Sequence, residues 1–203
     1  RCCSSAASDV YKRQAFEMEI EAMKSVKYDF GLDNLQLMVP FCRTPEEGAM
    51  VKELLDDNGI GPSTGTDLFV MVELPSNVIE AERFIQMMEL SGGSIGSNDL
   101  VQTVYAVSRD DLEGYQNPVD ARSPAVKSMI RQIVNKFNAR GLEIGICGQA
   151  PSDFPEEFPP FLIDCGISSI SVTPDTAIAV RNTVAEAEKA AKKLTKQAEL
   201  LSD

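Results

Sequence analysis

Short apolar runs alternate with segments of helical periodicity along most of the chain. Apolar residues recur at helical spacing from Ala15 to about Phe30, which predicts a first helix. The apolar runs that follow predict strands over 35–41, 67–72, 94–97, 143–146 and 168–172. Because a helical segment separates each strand from the next, the pattern favours a parallel α/β sheet.

Capping and turn residues mark the ends of the helices between these strands. Thr44 precedes Pro45, and Glu47 follows Thr44 by three residues, a pattern typical of a helix N-terminus. That helix is expected to end near residue 58, and the stretches 59–67 and 108–122 are expected to be loops. The remaining helices are predicted over 76–90, from 99, over 123–140, over 155–164 and after 173–175.

Polar residues with useful chemistry follow four of the predicted strands: Arg43, Glu73, Asp99 and Cys147. In a (β/α)8 barrel the catalytic groups lie at the carboxyl ends of the strands. In an open doubly wound sheet the corresponding edge forms the ligand crevice. Five strands do not close an eight-stranded barrel, so a barrel requires further strands from additional sequence.

Composition narrows the classes of function. The 203 residues carry a net charge of −12, which argues against a general nucleic-acid or anionic membrane surface. No apolar run approaches the roughly 20 residues of a membrane span. The five cysteines are odd in number and lack paired metal-ligand spacing, which favours a reducing, cytoplasmic compartment. Because histidine is absent, acid–base chemistry must use Cys, Glu, Asp, Tyr or Lys.

The two ends of the chain differ from its centre. Residues 1–14 have no usable hydrophobic period and resemble translated adapter sequence, so we expect them to be a non-native leader. The native protein is then expected to continue upstream of Ala15. We expect the domain to span 15–185, and the Ala/Lys/Glu-rich segment 186–203 to be a helical tail that projects or frays.

Two carboxylates indicate a cation site. Glu73 directly follows an apolar strand, and Asp99 lies in the small, polar stretch 94–102, where Gly96 lets backbone approach a ligand closely. With no His or paired Cys nearby, the pair favours Mg²⁺ or Mn²⁺ over zinc. The structural alternatives are a solvated loop acid for Glu73 and a helix N-cap for Asp99, with Asn98 able to take the cap instead.

Cys147 is the candidate nucleophile or proton carrier. The glycines on either side of the Ile146–Cys147 pair would leave its thiol uncovered at a strand end. The alternative is a buried structural cysteine, which is what we expect of Cys42 and Cys165. Arg109 could return from the helix after Asp99 to bind an anion, or could form a surface ion pair.

Several motifs occur together in a recognisable order. Residues 94–102, continuing to Arg109, resemble the second signature of the phosphoenolpyruvate-utilising enzymes. The segments 38–44, 71–77, 145–153 and 168–175 are similar to that family in order and spacing. The form Cys-Gly-Gln-Ala-Pro-Ser at 147–152 resembles the synthase branch rather than the dikinase or sugar-phosphotransferase branches. The resemblance covers roughly residues 15–185.

The resemblance implies a phosphoenolpyruvate/pyruvate-binding (β/α)8 barrel of which this chain supplies strands four to eight. It implies that Glu73 and Asp99 bind Mg²⁺, with Mn²⁺ as a substitute, and that the metal holds the pyruvate enolate. It implies that Cys147 exchanges the methyl proton. The substrate-binding residues that it implies are Glu73, Gly96, Ser97, Asn98, Asp99 and Arg109, the last facing the phosphoryl group.

The resemblance also implies partners and a reaction. The full enzyme would convert ATP, pyruvate and water into AMP, phosphoenolpyruvate and phosphate, using ATP-grasp and phosphohistidine domains upstream in the same parent chain. Family members often dimerise through this barrel. The alternatives are the dikinase branch, which uses phosphate instead of water, and a non-catalytic relative that binds a metabolite. We expect the isolated fragment to be inactive and to fold poorly, because its sheet keeps an unpaired edge.

Overall fold

A computed structural model describes residues 10–108 and 119–202, with side chains over 14–108 and 119–193. Within these residues five parallel strands form one sheet, in the order β1-β2-β3-β4-β5. The strands are β1 (Gln36–Val39), β2 (Asp67–Val72), β3 (Gly92–Gly96), β4 (Glu143–Cys147) and β5 (Ser169–Ile170). The predicted alternation of strands and helices is therefore confirmed.

The helices lie between and beyond the strands. They are α1 (Val10–Lys24), α2 (Pro45–Asp57), α3 (Pro75–Ile79), α4 (Ala81–Met88), α5 (Ser97–Tyr105), α6 (Pro124–Ala139), α7 (Ala150–Asp153), α8 (Phe158–Cys165) and α9 (Ala177–Ser202). A π-helical turn, Ser25–Asp29, continues α1, and a 3-10 turn, Pro62–Thr64, precedes β2. The predicted cap is present at α2, where the Thr44 hydroxyl accepts the Glu47 N–H at 3.1 Å.

The strand order distinguishes between the two sheet architectures. An open doubly wound sheet reverses its strand order at a switch point, whereas strands that are consecutive in a (β/α)8 barrel are also neighbours in space. Here every strand pairs with the next one along the chain, and β1 and β5 are the two outer strands. This order is that of a barrel wall.

The two faces of the sheet differ in burial. Alternate residues such as Leu68, Val70 and Val72 are buried in the core that the strands form with the helices. The residues between them are more open: Met38 is 43% exposed, and Met71 is half-buried. A parallel strand is ordinarily covered on both faces, so the open face corresponds to the interior of a barrel wall.

Two helix boundaries differ from the sequence prediction. The helix expected over 76–90 is divided into α3 and α4, because Glu80 leaves the helical conformation at φ −98° and ψ 21°. Helix α5 begins at Ser97, two residues before the expected start, with Gly96 at its N-cap position. Asn98 and Asp99 therefore lie inside the first turn, and the structural alternative in which one of them caps the helix is wrong.

Other predictions differ in extent or lie outside the described residues. Strand β5 is shorter than the predicted 168–172, since only Gly145 and Ile146 of β4 pair with it. Helix α7 was not predicted. Residues 109–118, which include Arg109, lie outside the described residues. The division at 14 and 185 stays a prediction; α1 begins at Val10, and α9 runs through residue 185 without a break. No helix in the described part of the chain is long and apolar enough to cross a membrane.

Candidate active site

The carboxyl ends of β2, β3 and β4 bring the predicted site residues to one edge of the sheet. Val72 is in register with Ile95, and Gly96 is in register with Cys147. Glu73, Gly96 and Cys147 therefore occupy three adjacent strand ends. Arg43 follows β1 at the same edge, but its side chain is exposed and pairs with Glu47 at 2.8 Å.

Glu73 is buried and fixed from several directions. Its side chain is 3% exposed, and its Oε1 accepts the Phe41 N–H at 2.7 Å. The Glu73 N–H donates to Asn77 Oδ1 at 3.2 Å, and the Glu73 carbonyl accepts the Thr103 hydroxyl at 2.8 Å. The alternative of a solvated loop acid is wrong, because a solvent-facing acid would be neither buried nor anchored in this way.

The environment of Glu73 disfavours its charge. Burial raises the pKa of Glu73 to about 7; the negative charge of Asp99 also raises it, while the Phe41 N–H lowers it. Asp99 is half-buried in the first turn of α5, where its Oδ1 accepts the Gln102 amide at 3.1 Å. A bound cation beside Glu73 and Asp99 would offset the negative charge that disfavours ionisation of Glu73.

The small residues at the start of α5 pack against their neighbours on both sides. A Cβ on Gly96 would lie 2.9 Å from Glu73 Oε2, so this position has no space for a side chain. Ser97 is fully buried, and its hydroxyl donates to the Cys147 carbonyl at 3.2 Å. Asn98 Oδ1 accepts the Gln149 N–H at 3.3 Å. Ser97 and Asn98 thus hold the loop after β4 against the end of β3.

Cys147 is more accessible than the other cysteines among the described residues. It is half-buried, whereas Cys42 and Cys165 are buried, and all three are unpaired. Its thiol contacts the Met71 thioether, Sγ to Sδ 3.4 Å, across the open face of the sheet. Burial raises the pKa of the Cys42 thiol to about 12, which agrees with the structural role expected for that residue.

The loop after Cys147 depends on glycine. Gly148 has φ 129°, a conformation that side chains rarely adopt, and a Cβ there would lie 2.1 Å from Ser97 Oγ. The loop can therefore approach α5 closely only because residue 148 has no side chain. Cys147 is half-buried at the strand end, rather than uncovered as the flanking glycines predicted.

Sequence reasoning missed the residues that hold the site together. Phe41 contributes a backbone N–H, which leaves no signal in the sequence. Thr103 lies one helical turn after Asp99, where a polar residue is ordinary on the surface of a helix. Asn77 had a usable signal, since a polar residue three positions after Leu74 and two after Pro75 is typical of a helix start.

Glu73 and Asp99 are the described residues best placed to hold a metal ion. No cluster of three or more His, Cys, Asp or Glu side chains suited to a metal occurs in the described residues. Two carboxylates suit Mg²⁺, which usually takes one or two from the protein and completes its shell with water and substrate. A zinc site would require more nitrogen or sulfur donors than this edge provides.

The family model for the phosphoenolpyruvate-binding domain of phosphoenolpyruvate-utilising enzymes matches residues 3–189. The phosphoenolpyruvate synthase of Aquifex aeolicus (strain VF5) is 45% identical over 183 residues, which cover 90% of this chain and 21% of that protein. The synthase of Escherichia coli (strain K12) is 37% identical over 179 residues, covering 87% of this chain and 22% of that protein. The chain thus spans about a fifth of the length of these curated relatives.

Solved structures are similar in fold at low identity. A citrate lyase of Burkholderia xenovorans LB400 has a TM-score of 0.54 at 14% identity, over 73% of this chain and 48% of its own. The citrate lyase beta subunit of M. tuberculosis, complexed with oxaloacetate and magnesium, has a TM-score of 0.51 at 16% identity, over 72% and 60%. With the strand order, these findings confirm the predicted fold, about five units of a (β/α)8 barrel. The chain belongs to the phosphoenolpyruvate-utilising enzymes, in their phosphoenolpyruvate-binding domain.

Proposed function

We propose that this chain is the phosphoenolpyruvate-binding barrel segment of a phosphoenolpyruvate synthase. The whole enzyme converts ATP, pyruvate and water into AMP, phosphoenolpyruvate and phosphate. The observation that carries the proposal is the juxtaposition, at neighbouring strand ends, of the buried Glu73 carboxylate, the half-buried Asp99 carboxylate and the half-buried Cys147 thiol. The family membership and the synthases at 37–45% identity support the same function and favour water over phosphate as the second acceptor.

Glu73 and Asp99 are the proposed ligands of Mg²⁺, with Mn²⁺ as a substitute. The burial of Glu73 and its proximity to Asp99 fit a cation, because both raise the pKa of Glu73 and positive charge would offset them. A bound Mg²⁺ would supply positive charge that stabilises the enolate oxygen of pyruvate. The bonds from Phe41 and Thr103 keep Glu73 in one orientation, so little reorganisation accompanies binding.

Cys147 is the proposed proton carrier. In the direction of phosphoenolpyruvate synthesis, Cys147 as a thiolate takes a proton from the methyl carbon of pyruvate. The electrons of that C–H bond form the C=C bond of the enolate, and the carbonyl π electrons move to the oxygen. In the reverse direction the thiol returns the proton to that carbon. The half-buried position of Cys147 supports this role, because a proton carrier must reach both the ligand and solvent.

The start of α5 is the proposed wall of the substrate site. Gly96 lies at the end of β3, between the ends of β2 and β4 that carry Glu73 and Cys147, and Ser97 and Asn98 contact the loop after β4. Ser97 is fully buried and its hydroxyl is engaged with the Cys147 carbonyl, so its proposed contribution is to hold the substrate wall in place. The role of Arg109 at the phosphoryl group stays a prediction, as does a homodimer.

The phosphoryl chemistry of the proposed enzyme requires residues beyond this segment. The chain has no histidine and so cannot form a phosphohistidine. The ATP-grasp and phosphohistidine domains are proposed to belong to the remaining four-fifths of the relatives' length. The three unpaired cysteines of the described residues support a cytoplasmic location.

A hybrid enzyme tests this proposal directly. In the hybrid, residues 15–185 of this chain replace the matching segment of the Aquifex aeolicus synthase, with which the chain is 45% identical. We expect pyruvate-dependent formation of AMP and phosphoenolpyruvate that requires Mg²⁺. The matched control is a hybrid that carries Cys147→Ala, which should fold equally well and turn over poorly.

Two results would contradict the proposal. One is a folded hybrid that binds Mn²⁺ but forms no phosphoenolpyruvate from pyruvate. The other is a hybrid with full turnover whose rate does not change on substitution of Cys147 or Glu73. The unaltered Aquifex aeolicus enzyme, assayed in parallel, shows that the assay detects the formation of both AMP and phosphoenolpyruvate.

A further inference from the structure

Asn77 makes three hydrogen bonds while it is almost completely buried. It is 2% exposed, and its Oδ1 accepts the backbone N–H of Glu73 at 3.2 Å and of Leu74 at 3.0 Å. Its Nδ2 donates to the carbonyl of Cys42 at 2.7 Å, 35 residues away along the chain. One amide side chain therefore joins the end of β2 to the loop that follows β1.

The loop that Asn77 holds also delivers a hydrogen bond to Glu73. The Phe41 N–H donates to Glu73 Oε1 at 2.7 Å, one residue before the carbonyl that Asn77 binds. Phe41 has φ 49°, in the left-handed region that is costly for a bulky side chain. Such a conformation persists only where surrounding bonds enforce it, and the bond from Asn77 to Cys42 lies directly beside it.

A simple helix-capping role explains only part of this arrangement. The Oδ1 bond to the Leu74 N–H satisfies one donor at the start of α3, as a cap does. The Nδ2 bond to Cys42 contributes nothing to α3, because its acceptor belongs to another loop. Glu73 is thus held from three parts of the chain. Asn77 of α3 and Thr103 of α5 bind its backbone, and Phe41, in the loop after β1, binds one of its carboxylate oxygens.

We propose that Asn77 is a positioning residue for the cation site: it holds the Glu73 backbone through its oxygen and the Phe41 N–H in place through its nitrogen. With Oε1 fixed by Phe41, Glu73 Oε2 stays beside Gly96, which is the N-cap of the helix whose first turn contains Asp99. This inference rests on the proposed function, because it takes Glu73 and Asp99 to be the cation ligands.

The test measures Mn²⁺ binding to the hybrid enzyme by electron paramagnetic resonance, alongside thermal unfolding. Asn77→Ala removes all three bonds and should weaken Mn²⁺ binding by roughly 10–100-fold, as is typical when a partner of a metal ligand is lost. Asn77→Asp keeps an oxygen for the two N–H groups but loses the donor to Cys42. It should bind Mn²⁺ more weakly than the parent despite its added negative charge.

The matched control is Asn138→Ala. Asn138 also uses its Nδ2 to bind a backbone carbonyl, that of Gly166 at 3.0 Å, but it lies at the end of α6 that leads into the amino end of β4. Asn138→Ala should lower the unfolding temperature slightly and should bind Mn²⁺ with the same affinity as the parent hybrid. Steady-state kinetics give a second readout: the Mg²⁺ concentration for half-maximal rate should rise in Asn77→Ala, and the rate at saturating Mg²⁺ should change much less.

Each outcome separates the two proposals. If the parent hybrid turns over and both Asn77 variants keep its Mn²⁺ affinity, Asn77 is only structural and this inference fails. If the parent hybrid binds Mn²⁺ but does not turn over, the proposed function fails, and the Asn77 variants still test positioning. If Asn77→Ala does not fold, Asn77→Asp, which retains the bonds to Glu73 and Leu74, decides the question by its Mn²⁺ affinity alone.

Discussion

The ends of β2 and β4 lie two strands apart at the same edge, and they are built in opposite ways. At the end of β2, Glu73 is buried and held by bonds from Phe41, Asn77 and Thr103. At the end of β4, the Cys147 side chain is half-buried and contacts Met71, while Gly148 provides the turn.

The difference corresponds to two kinds of chemistry. A group that binds a cation benefits from a fixed position, since geometry determines affinity. A group that moves a proton must be accessible and must reach both the ligand and solvent. The contrast between a fixed carboxylate and an accessible thiol is the structural basis of the proposed function.

The largest expected effect comes from removal of the accessible thiol. Cys147→Ala in the hybrid should lower turnover by about 10²–10⁴-fold, the usual contribution of a general acid or base. Mn²⁺ affinity should stay within about twofold of the parent value, because the thiol is not a proposed ligand. Turnover and Mn²⁺ titration on the same preparations measure both quantities, and an unchanged rate would remove Cys147 from the mechanism.

The second-largest expected effect is on the pH dependence of protein stability, and it arises from the Glu73 carboxylate. Its pKa of about 7 in the folded protein exceeds its ordinary value of 4.5, so the folded state favours the protonated form. Below pH 4.5 the free energy of unfolding should be the same as with a neutral residue at this position. It should fall progressively as pH rises from 4.5 to 7, by about 3 kcal/mol in total.

Glu73→Gln should therefore stabilise the metal-free protein at pH 8 and change it little at pH 4.5, while it abolishes tight Mn²⁺ binding. Unfolding temperatures at the two pH values, with and without Mn²⁺, provide the measurement. Equal stabilisation at both pH values would contradict the raised pKa.

A smaller effect is expected from the glycine beside Cys147. Gly148→Ala should destabilise the protein by about 1–3 kcal/mol, because it combines an unfavourable φ with the contact to Ser97 Oγ. Gly141→Ala is the matched control: it also has positive φ, 68°, but no heavy atom lies within 4 Å of its added Cβ. Its cost should be about 1 kcal/mol. Equal losses in chemical denaturation would show that the contact with Ser97 is unimportant.

The smallest expected effect is a difference in the rate at which the cysteines react with an alkylating reagent. Iodoacetamide should modify Cys147 before Cys42 and Cys165, since reaction requires an accessible thiolate and the other two are buried. The raised pKa of Cys42, about 12, makes it the least reactive of the three. Peptide mapping at successive times gives the order. Modification of Cys42 first would contradict the contrast between an accessible and a structural cysteine.

Much of the fold was predictable because parallel β/α units have strong local signals. Each apolar run ends at a polar residue, and caps such as Thr44 mark where helices begin. The division of α3 from α4 was not predictable from periodicity, because Val78, Ile85 and Met88 continue a helical apolar pattern through the break at Glu80. The early start of α5 was missed because the small residues of 94–97 suit a strand as well as a helix start.

The site residues at the strand ends were predictable from the sequence, but the residues that hold them in place were not. Glu73 and Cys147 directly follow or end apolar strands, which marks them as candidates in a parallel sheet. The bonds from Phe41 and Thr103 to Glu73 join residues 32 and 30 positions apart, and the bond from Asn77 to Cys42 spans 35 positions. These bonds depend on how neighbouring strands align in three dimensions. Burial of Ser97 likewise follows from the approach of the loop at Gly148, which a local sequence pattern does not specify.

The most direct test follows the exchange of pyruvate methyl protons with D₂O by NMR, together with Mn²⁺ binding, in the hybrid enzyme. The parent should bind Mn²⁺ and exchange the protons. Cys147→Ala should bind Mn²⁺ normally and exchange about 10²–10⁴-fold more slowly, whereas Glu73→Gln should lose both properties. Normal exchange in Cys147→Ala, or normal Mn²⁺ binding in Glu73→Gln, would contradict the division of labour between the fixed carboxylate and the accessible thiol.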